Sequence, residues 1–272
     1  MKLIFLDIDG TLTRAGENVP PDSALYAIKM TQAKGNKVFL CTGRNLDMLK
    51  PLLKYGFDGV VGSSGGYVTV GDEVLFDCPM TDEQRDTALD VLHKNGVFCT
   101  IEAKGGSWGD DNMDEFLKEQ PEGNSEIERW RKALSENLGI KPMSEYDGSP
   151  IYKVVVMCTK PEQLDEAKEL LEKDFSFVVQ EVKAHSCING ELVNRAFDKG
   201  KGVQLVRDHF GLTDEDTIGF GDSMNDLEMM QTVGTSVCME NGAEALKKIA
   251  DLVCPSVDDD GLYKAFEKLQ LL

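Results

Sequence analysis

Histidine is rare in this sequence and its cysteines are not spaced as pairs, which limits the metal and disulfide chemistry expected of it. The three histidines, His93, His185 and His209, lie far apart and show no metal-ligand spacing. The seven cysteines are an odd number and include no C-x-x-C pair. These features argue against a disulfide framework and against a zinc knuckle. We therefore expect each histidine to be an ordinary surface or packing residue.

Basic residues are few relative to acidic ones. The 272 residues include 29 Lys and Arg against 48 Asp and Glu, so the formal net charge is −19. A surface of that charge repels nucleic acid and anionic lipid, and neither is expected as a partner. It also mildly favours a monomer or a weak dimer. An anionic substrate would need a local positive group or a metal ion.

Long apolar runs are absent as well. No stretch is long enough to span a bilayer, and only four apolar residues, "LIFL", precede the first acid. A run that short does not fit the apolar region of a signal peptide. The sequence therefore predicts a cytoplasmic protein.

What the chain does contain is an alternation of strand and helix patterns. Unbroken apolar runs such as "KLIFL", "KVFLC", "GVVG" and "TIGF" are typical of parallel strands that are covered on both faces. Helices are predicted between them, and "GYVTVGDEVLF" fits a hairpin that turns at Gly71. We predict an α/β fold with a doubly wound, Rossmann-like parallel sheet in the core, formed by residues 1–79 and 187–272.

Residues 80–186 differ in pattern and are predicted to form an inserted α/β cap domain. Its predicted elements are a helix at 82–94, a strand at 97–103, a Gly-rich loop at 104–112, a helix from the capping box of Ser125 and Glu128 to about 138, a strand at 151–159, a helix at 161–173 and a strand at 175–182. The last three elements would form a βαβ-like set.

Polar residues cluster where the core strands are predicted to end, which is where doubly wound sheets bind ligands. Two of them, Asp7 and Asp9, point the same way from an extended segment and repel each other unless a cation or a shared proton lies between them. Oxygen ligands of this kind suit a hard cation such as Mg2+. The full set is Asp7, Asp9 and Thr11, then Thr42, Gly43 and Arg44, then Gly221, Asp222, Ser223, Asn225 and Asp226, with Lys199 and Lys201 at the start of a helix.

The same residue types are suited to phosphoryl transfer. A carboxylate beside Mg2+ can attack phosphorus, because the cation and a lysine neutralise the phosphoryl oxygens. A second carboxylate can protonate the leaving group and then take a proton from water. The hydroxyl of Thr42 and the backbone N–H groups around Gly43 can hold the phosphoryl oxygens.

Four short motifs resemble those of the haloacid dehalogenase-like (HAD) superfamily, and within it the Cof-type phosphatases with a class IIB cap. They are "DIDGT" (7–11), "TGR" (42–44), Lys199 within "DKGKG", and "GDSMND" (221–226). Each motif alone would be a weak signal. Their order is specific, since the insertion falls between the second and the third, and the resemblance covers essentially the whole chain.

The resemblance implies a role for each motif residue. Asp7 would be the nucleophile that forms an aspartyl-phosphate, Asp9 the general acid and base, and Lys199 the group that orients Asp7 and binds the phosphoryl group. The other phosphate- or substrate-binding residues would be Gly10, Thr11, Thr42, Gly43, Arg44 and Asn225. The Mg2+ site would comprise Asp7, Asp9 through its backbone carbonyl, Asp222, and Asp226 in a supporting position.

Several positions allow more than one interpretation. Lys201 competes with Lys199, although the family pattern favours Lys199. "GDDNMDEF" (109–116) fits either a second cation site or the acidic start of a helix. "SSGGY" (63–67) replaces the Asn-Gly-Ala of many relatives, which bears on substrate preference. Candidates for substrate selection are Glu102, Lys104, Ser107, Trp108, Lys183 and His185, and Trp108 could equally serve in packing.

We accordingly predict a Mg2+-dependent phosphatase that acts on a small phosphomonoester, with a sugar phosphate as the favoured class and the inserted domain as a lid. No residue excludes a phosphomutase of the same branch. A signalling receiver that is phosphorylated on aspartate is the rival from another class. Receivers, however, are typically less than half this length, pair adjacent acids and lack an inserted domain. A binding protein with degenerate chemistry is a third interpretation, but every expected catalytic residue is present.

Overall fold

Two sheets contain the strands that the computed structural model describes, over residues 1–119, 139–180 and 188–272. In chain order the strands are β1 (Leu3–Leu6), β2 (Lys37–Cys41), β3 (Gly59–Gly62), β4 (Tyr67–Val70), β5 (Glu73–Asp77), β6 (Phe98–Ala103), β7 (Gly106–Gly109), β8 (Ile140–Pro142), β9 (Ile151–Cys158), β10 (Phe175–Gln180), β11 (Ile188–Asn194), β12 (Thr217–Gly221), β13 (Thr235–Met239) and β14 (Leu252–Cys254). The α-helices in these residues are α1 (Asp22–Ala33), α2 (Leu46–Leu53), α3 (Asp82–Lys94), α4 (Met113–Glu119), α5 (Asp165–Leu171), α6 (Lys199–His209), α7 (Leu227–Thr232), α8 (Glu244–Lys247) and α9 (Gly261–Lys268). The chain divides into a first unit, Met1–Arg44, Met48–Cys78 and Phe197–Leu272, and a second unit, Asn45–Asp47 and Pro79–Ala196.

The sheet of the first unit has the order β14-β13-β12-β1-β2-β3-β4-β5. Neighbouring strands from β14 to β3 are parallel, and β4 and β5 add an antiparallel hairpin at one edge. The unbroken apolar runs explain this arrangement, because β1, β3 and β12 are buried along their whole length, as expected of parallel strands in α/β proteins. The predicted fold class and its doubly wound parallel sheet are confirmed.

Helix α6 packs closely against β3 because it has a glycine at the contact. A Cβ atom on Gly202 would lie 2.3 Å from a methyl carbon of Val61 in β3. The helix begins after Asp198, whose side chain accepts a hydrogen bond from the Lys201 N–H at 2.7 Å. Both contacts fix the first turn of α6, which carries Lys199.

The sheet of the second unit has the order β10-β11-β9-β6-β7-β8. β7 and β8 are parallel, and the other neighbouring pairs are antiparallel. Apolar residues of α3 and α5, such as Leu92 and Leu171, share a core cluster with Val154 and Val156 of β9. Helix α4 contributes Phe116 to a separate cluster with other residues of the same strand. The second unit is therefore a separate α/β layer with its own core.

Two strands of the second unit differ from the sequence interpretation. Gly106–Gly109, predicted as part of a Gly-rich loop, is strand β7, because it pairs with β6 and β8. Ile188–Asn194, assigned to the core from sequence, is strand β11 and pairs with β9 and β10. The second boundary between the units therefore follows Ala196 and not residue 186. β11 also lies between β9 and β10 in the sheet. The two strands of the predicted βαβ-like set are therefore parallel to each other but are not neighbours.

Some expectations concern residues that the structure does not describe. The helix predicted from Ser125 to about 138 lies outside the described residues, as do Lys183 and His185. The six cysteines within the described ranges are all free. None of the described helices combines the length and the apolar character that a membrane crossing requires.

Candidate active site

An acidic centre, defined here as Asp7, Asp222 and Asp226, lies where β1 and β12 end side by side. The two strands are parallel neighbours, with Leu6 opposite Phe220. The Asp7 N–H donates to the carbonyl oxygen of Phe220 at 2.9 Å, which continues the pairing by one residue. Asp7 thus leaves the sheet beside the segment that carries the other two acids, and its side chain is buried.

Lys199 is the cation of this centre. Its Nζ donates to Asp7 Oδ1 at 2.7 Å, to Asp226 Oδ1 at 2.6 Å and to Asn225 Oδ1 at 3.3 Å. The residue is only 1% exposed. Burial alone would lower the pKa of Lys199, but the charges of Asp226 and Asp7 raise that pKa well above its usual value. The lysine is therefore charged, and it links three of the four predicted motif segments.

One lysine does not balance the three carboxylates of the acidic centre. One oxygen from each of Asp7, Asp222 and Asp226 lies within 4.8 Å of the others. Desolvation, together with the charge of Asp226, raises the pKa of Asp7 to about 8 and that of Asp222 to about 6. Lys199 opposes both shifts without cancelling them. A compact set of oxygen donors with excess negative charge fits a hard divalent cation such as Mg2+.

Close backbone packing holds Asp222 in place. A Cβ atom on Gly10, where φ is +88°, would lie 2.5 Å from Asp222 Oδ2, so this approach requires glycine. Thr11 Oγ1 donates to Asp222 Oδ1 at 3.4 Å. Asp226, which is fully buried, accepts hydrogen bonds at Oδ2 from the N–H groups of Asp222 at 3.0 Å and Ser223 at 3.1 Å. These contacts indicate that Asp226 supports the loop carrying Asp222.

The carboxylate of Asp9 is held by Arg44. The guanidinium donates from Nε to Asp9 Oδ2 at 2.8 Å and from Nη2 to Asp9 Oδ1 at 2.6 Å. It also donates to Asn18 Oδ1 at 2.6 Å and to the Glu17 carbonyl oxygen at 3.0 Å. The Gly16 N–H adds a hydrogen bond to Asp9 Oδ1 at 2.7 Å. With its guanidinium committed in this way, Arg44 fits a positioning role for Asp9 better than the predicted phosphate contact.

Ser63, Ser64 and Gly65 form a turn after β3, hereafter the serine turn. Their φ angles are +49°, +58° and +100°. The left-handed region costs a residue with a side chain about 1–2 kcal/mol, so the two serines are held there by their surroundings. The N–H groups of Ser63 and Ser64 donate to the carbonyl oxygens of Arg44 at 3.0 Å and Thr42 at 2.9 Å.

The serine turn also contacts Asp198, the residue before Lys199. A Cβ atom on Gly65 would lie 2.1 Å from the carbonyl oxygen of Asp198. The turn therefore links the backbone of the second motif to the start of α6. In the sequence, "SSGGY" bears only on the predicted substrate preference. The adjacent glycines Gly65 and Gly66, at the end of a strand, were the available signal for a close backbone contact.

The other predicted phosphate-binding residues lie near these elements. Thr42 follows β2, the parallel neighbour of β1, and is 2% exposed. Its Oγ1 accepts a hydrogen bond from the Arg44 N–H at 3.2 Å. A Cβ atom on Gly43 would lie 3.4 Å from Ser64 Oγ. Asn225 Oδ1 accepts hydrogen bonds from Lys199 and from Ser223 Oγ, the latter at 2.7 Å.

The alternative residues do not join the acidic centre. The side chain of Lys201 is 50% exposed and lies 3.9 Å from Asp198. Trp108 is fully buried in the second unit and donates from Nε1 to the Glu145 carbonyl oxygen at 3.2 Å, which fits the packing role. Glu102, Lys104 and Ser107 also belong to the second unit, where Glu102 pairs with Lys153 at 3.2 Å.

The chain is similar to known proteins over essentially its whole length. The family model described as haloacid dehalogenase-like hydrolase matches residues 4–266. YkrA of Bacillus subtilis (strain 168) is 28% identical over 272 residues, which cover 100% of this chain and 98% of YkrA. The 5-amino-6-(5-phospho-D-ribitylamino)uracil phosphatase YwtE of the same strain is 27% identical over 290 residues, covering 99% and 98%. The solved structure of the HAD subclass IIB sugar phosphatase BT4131 is similar in fold, with a TM-score of 0.73 at 24% identity over 100% of both chains.

Proposed function

The chain belongs to the haloacid dehalogenase-like hydrolase family, and we propose that it hydrolyses a small phosphomonoester with Mg2+ as cofactor and an aspartyl-phosphate as intermediate. The predicted family and the predicted class of enzyme, a Cof-type phosphatase, are confirmed. The proposal adds the cofactor, the intermediate, the substrate class and the role of each residue.

The buried contacts of Lys199 carry the proposal. Its Nζ lies 2.7 Å from Asp7 and 2.6 Å from Asp226. The first contact fixes the orientation of the Asp7 carboxylate, as a nucleophile requires before it can attack. The same ammonium group can stabilise the negative charge of a phosphoryl group at that carboxylate.

Two steps account for hydrolysis. In the first, a carboxylate oxygen of Asp7 bonds to phosphorus while the bond from phosphorus to the ester oxygen breaks. Asp9 gives its proton to that oxygen, so the alcohol leaves in neutral form. In the second, Asp9 takes a proton from water as the water oxygen bonds to phosphorus. The bond between phosphorus and Asp7 then breaks, which releases inorganic phosphate and restores the carboxylate.

The acidic centre supplies the cofactor site in this proposal. Asp7, Asp222 and the backbone carbonyl of Asp9 would hold Mg2+, and Asp226 would support the loop that carries Asp222. When bound, Mg2+ supplies the positive charge that offsets repulsion between the nucleophile and an anionic phosphoryl group. Arg44 holds the carboxylate form of Asp9 through two hydrogen bonds, which is the form that takes a proton from water in the second step.

The phosphoryl group would be held by groups from three motifs. The Thr42 hydroxyl and the backbone N–H of Gly43 would bind its oxygens from the second motif. Lys199 and the side-chain amide of Asn225, which already lie 3.3 Å apart, would bind it from the third and fourth. The loop at Gly10 and Thr11 completes this set, as the resemblance predicts.

The names of two similar proteins support a sugar phosphate or a related metabolite as substrate. YwtE is named for a substrate with a phospho-D-ribitylamino group, and BT4131 is described as a sugar phosphatase. We propose that the first unit is the catalytic core and the second the class IIB cap, with Glu102 and Ser107 as candidate substrate contacts. The cytoplasmic location and the monomeric or weakly dimeric state stay predictions.

The test is phosphate release from a panel of phosphorylated sugars, sugar alcohols, nucleotides and pyridoxal phosphate, with Mg2+ and with EDTA. Release should require Mg2+ and should vanish in Asp7→Asn, because an amide does not attack phosphorus. Lys199→Met should also abolish release. Lys201→Met is the matched control, since this lysine lies on the same helix with a half-exposed side chain, and it should retain activity.

Each contrary outcome identifies a specific error. Release by Asp7→Asn would reject the nucleophile, and equal release in EDTA would reject the cofactor. Transfer of phosphate between two positions of a sugar, without net release, would identify a phosphomutase in place of a hydrolase. Circular dichroism of each variant distinguishes lost chemistry from lost folding.

A further inference from the structure

His93, Cys99 and Asp110 bring three different donor atoms together in the second unit. One donor atom from each lies within 4.8 Å of the other two. His93 Nε2 is 3.0 Å from Asp110 Oδ1 and 3.2 Å from Asp110 Oδ2. None of these residues takes part in the proposed phosphatase reaction. The cluster therefore needs an explanation of its own.

Three elements build this cluster. His93 lies in the last turn of α3, Cys99 in β6, and Asp110 directly after β7. Asp110 is fixed to β6 by two hydrogen bonds: its Oδ2 accepts from the Cys99 N–H at 2.7 Å, and its own N–H donates to the Cys99 carbonyl oxygen at 3.0 Å. The donors are thus held by the fold, although their spacing in the sequence matches no metal motif.

The donor set differs in chemistry from the acidic centre. An imidazole nitrogen, a thiolate sulfur and a carboxylate oxygen favour Zn2+ or a similar transition metal, whereas Mg2+ prefers oxygen ligands. Ligands of tetrahedral Zn2+ lie roughly 3.3–3.8 Å apart, given bonds of about 2.0–2.3 Å. His93 Nε2 and Asp110 Oδ1 are slightly closer than that, at 3.0 Å, and no two of the three donor atoms are more than 4.8 Å apart, so small side-chain rotations would suffice.

We propose that His93, Cys99 and Asp110 bind one Zn2+ ion or a chemically similar divalent cation, with water at the fourth position. Cys99 would lose its thiol proton to solvent when the ion binds, because the thiolate is the ligand. The side chain of His93 is 42% exposed and that of Asp110 is 14% exposed, whereas Cys99 is fully buried. The ion would enter from the side of His93 and would link the end of α3 to the start of β6.

An ion pair between His93 and Asp110 is the alternative explanation. The hydrogen bond to Asp110, followed by the charges of Asp110 and Asp90, raises the pKa of His93. Such a pair needs no cysteine. In the absence of a cation, burial and then Asp110 raise the pKa of the Cys99 thiol well above its usual value. A thiolate signal at Cys99 near neutral pH would therefore require a bound cation.

Cobalt(II) replaces Zn2+ as a spectroscopic probe and gives a sulfur-to-cobalt charge-transfer band only when a thiolate is a ligand. The full-length protein, stripped of metal and supplied with excess Mg2+ for the acidic centre, should develop this band on titration with one equivalent of Co2+. Added Zn2+ should remove it. Cys99→Ser should abolish the band. Cys158→Ser, a buried cysteine of the neighbouring strand β9, should leave it unchanged.

A second variant is needed because Cys99→Ser places a hydroxyl group in the core and could lose the band through misfolding. His93→Gln changes a partly exposed residue and should weaken Zn2+ affinity by more than the roughly 10–100-fold typical of outer-shell changes. Zn2+ should raise the melting temperature of the wild-type protein more than that of His93→Gln, because a bound ion stabilises the folded state. No band in the wild-type protein, or a band that persists in both Cys99→Ser and His93→Gln, would overturn the proposal. Neither readout depends on phosphatase activity.

Discussion

At the scale of single residues, the contacts that hold the buried Lys199 serve both the stability of the protein and the proposed chemistry. A lysine that is 1% exposed has lost nearly all its hydration, which is unfavourable by several kcal/mol unless ion pairs and hydrogen bonds offset it. Asp7 and Asp226 provide that offset at 2.7 and 2.6 Å. Removing one partner of such a pair typically costs about 3–5 kcal/mol, since the remaining charge is left buried.

Arg44 leads to a prediction about which kinetic constant changes. If Arg44 positions Asp9, Arg44→Met should lower kcat by about 10–100-fold, a part of the roughly 10²–10⁴-fold that general acid–base catalysis contributes. The KM should change little, because the guanidinium is engaged by Asp9, Asn18 and Glu17. Steady-state kinetics on the best substrate of the panel, at saturating Mg2+, measures both constants.

Arg14→Met is the control for Arg44→Met. Arg14 also forms an ion pair, at 2.5 Å from Asp258, but its side chain is 64% exposed. Its loss should leave kcat and KM unchanged, since exposed ion pairs contribute little. A large rise in KM for Arg44→Met with kcat preserved would instead assign Arg44 to phosphate binding, as the sequence predicted.

At the scale of elements, the serine turn connects two motifs that lie more than 150 residues apart in the sequence, as residues 42–44 and 198–199 do. It receives its conformation from hydrogen bonds to Thr42 and Arg44, and it touches the Asp198 carbonyl through Gly65. Two serines with positive φ store local strain. A turn of this kind fixes the backbone at Thr42 relative to the start of α6, which carries Lys199.

Gly65→Ala tests this role of the serine turn. The added methyl group would lie 2.1 Å from a backbone oxygen, so the turn or the start of α6 must move. We expect lower stability in a denaturant titration together with a fall in kcat. Gly35→Ala is the matched control, because Gly35 has φ +88° but a methyl group added there would meet no atom within 4 Å. It should lose about 1–2 kcal/mol from the left-handed backbone alone and keep its kcat.

The kcat of Gly65→Ala shows whether the serine turn serves only folding or also positions the motif residues. Equal losses of stability in the two glycine variants would show that the contact with Asp198 adds no strain. An unchanged kcat in Gly65→Ala, with stability reduced, would limit the serine turn to folding. Only a fall in kcat specific to Gly65→Ala agrees with the proposed link between the motifs.

Elements were predictable from sequence where burial imposes a simple pattern. The strands of the parallel sheet have continuous apolar runs, and α3 has a capping box at Thr81 and Gln84 that fixes its start. β7 was missed because "GSWG" contains two glycines and forms a strand only by pairing with β6 and β8. β11 was missed because "INGELVN" mixes Gly, Asn and Glu, although alternate residues of the strand are buried and Ile188 and Leu192 join the core of the second unit.

The candidate site was likewise predictable only in part. Its motif residues were identified because their order along the chain is specific, and the structure brings Asp7, Lys199, Asn225, Asp222 and Asp226 together. The pairing of Arg44 with Asp9 and the cluster at His93 depend on contacts between separate elements of the fold. No spacing rule in one sequence encodes such contacts, so these features required the fold.

At the scale of the whole molecule, excess negative charge links folding to pH and to cations. The chain carries a net charge of −19, and its acidic centre brings three carboxylates together, those of Asp7 and Asp226 buried beside Lys199 and that of Asp222 half-buried. The folded-state pKa is raised to about 8 for Asp7 and to about 6 for Asp222, chiefly by desolvation and by Asp226. Each group therefore binds a proton more tightly in the folded state than in the unfolded chain.

The sign of the pH effect follows from this difference. Between the ordinary pKa near 4 and the raised values, the folded protein holds more protons than the unfolded chain, so stability falls as pH rises. We predict that the metal-free protein in EDTA loses stability from pH 5.5 to 8, by at most about 1.4 kcal/mol per pH unit for each such group. Carboxyl groups with lowered pKa values, such as Asp251, change stability mainly below this range.

Mg2+ should reverse the trend, because it binds the ionised carboxylates and so stabilises the folded protein more at pH 8 than at pH 6. Urea titrations at several pH values, with EDTA or with saturating Mg2+, measure this difference. Asp7→Asn should flatten the slope in EDTA and reduce the effect of Mg2+. His93→Gln is the control, since the raised pKa of His93 contributes a slope of the same sign without involving the acidic centre. If stability in EDTA falls with pH as steeply in Asp7→Asn as in the wild-type protein, the titrating group lies elsewhere. A larger stabilisation by Mg2+ at pH 6 than at pH 8 would contradict competition between the cation and protons at these carboxylates.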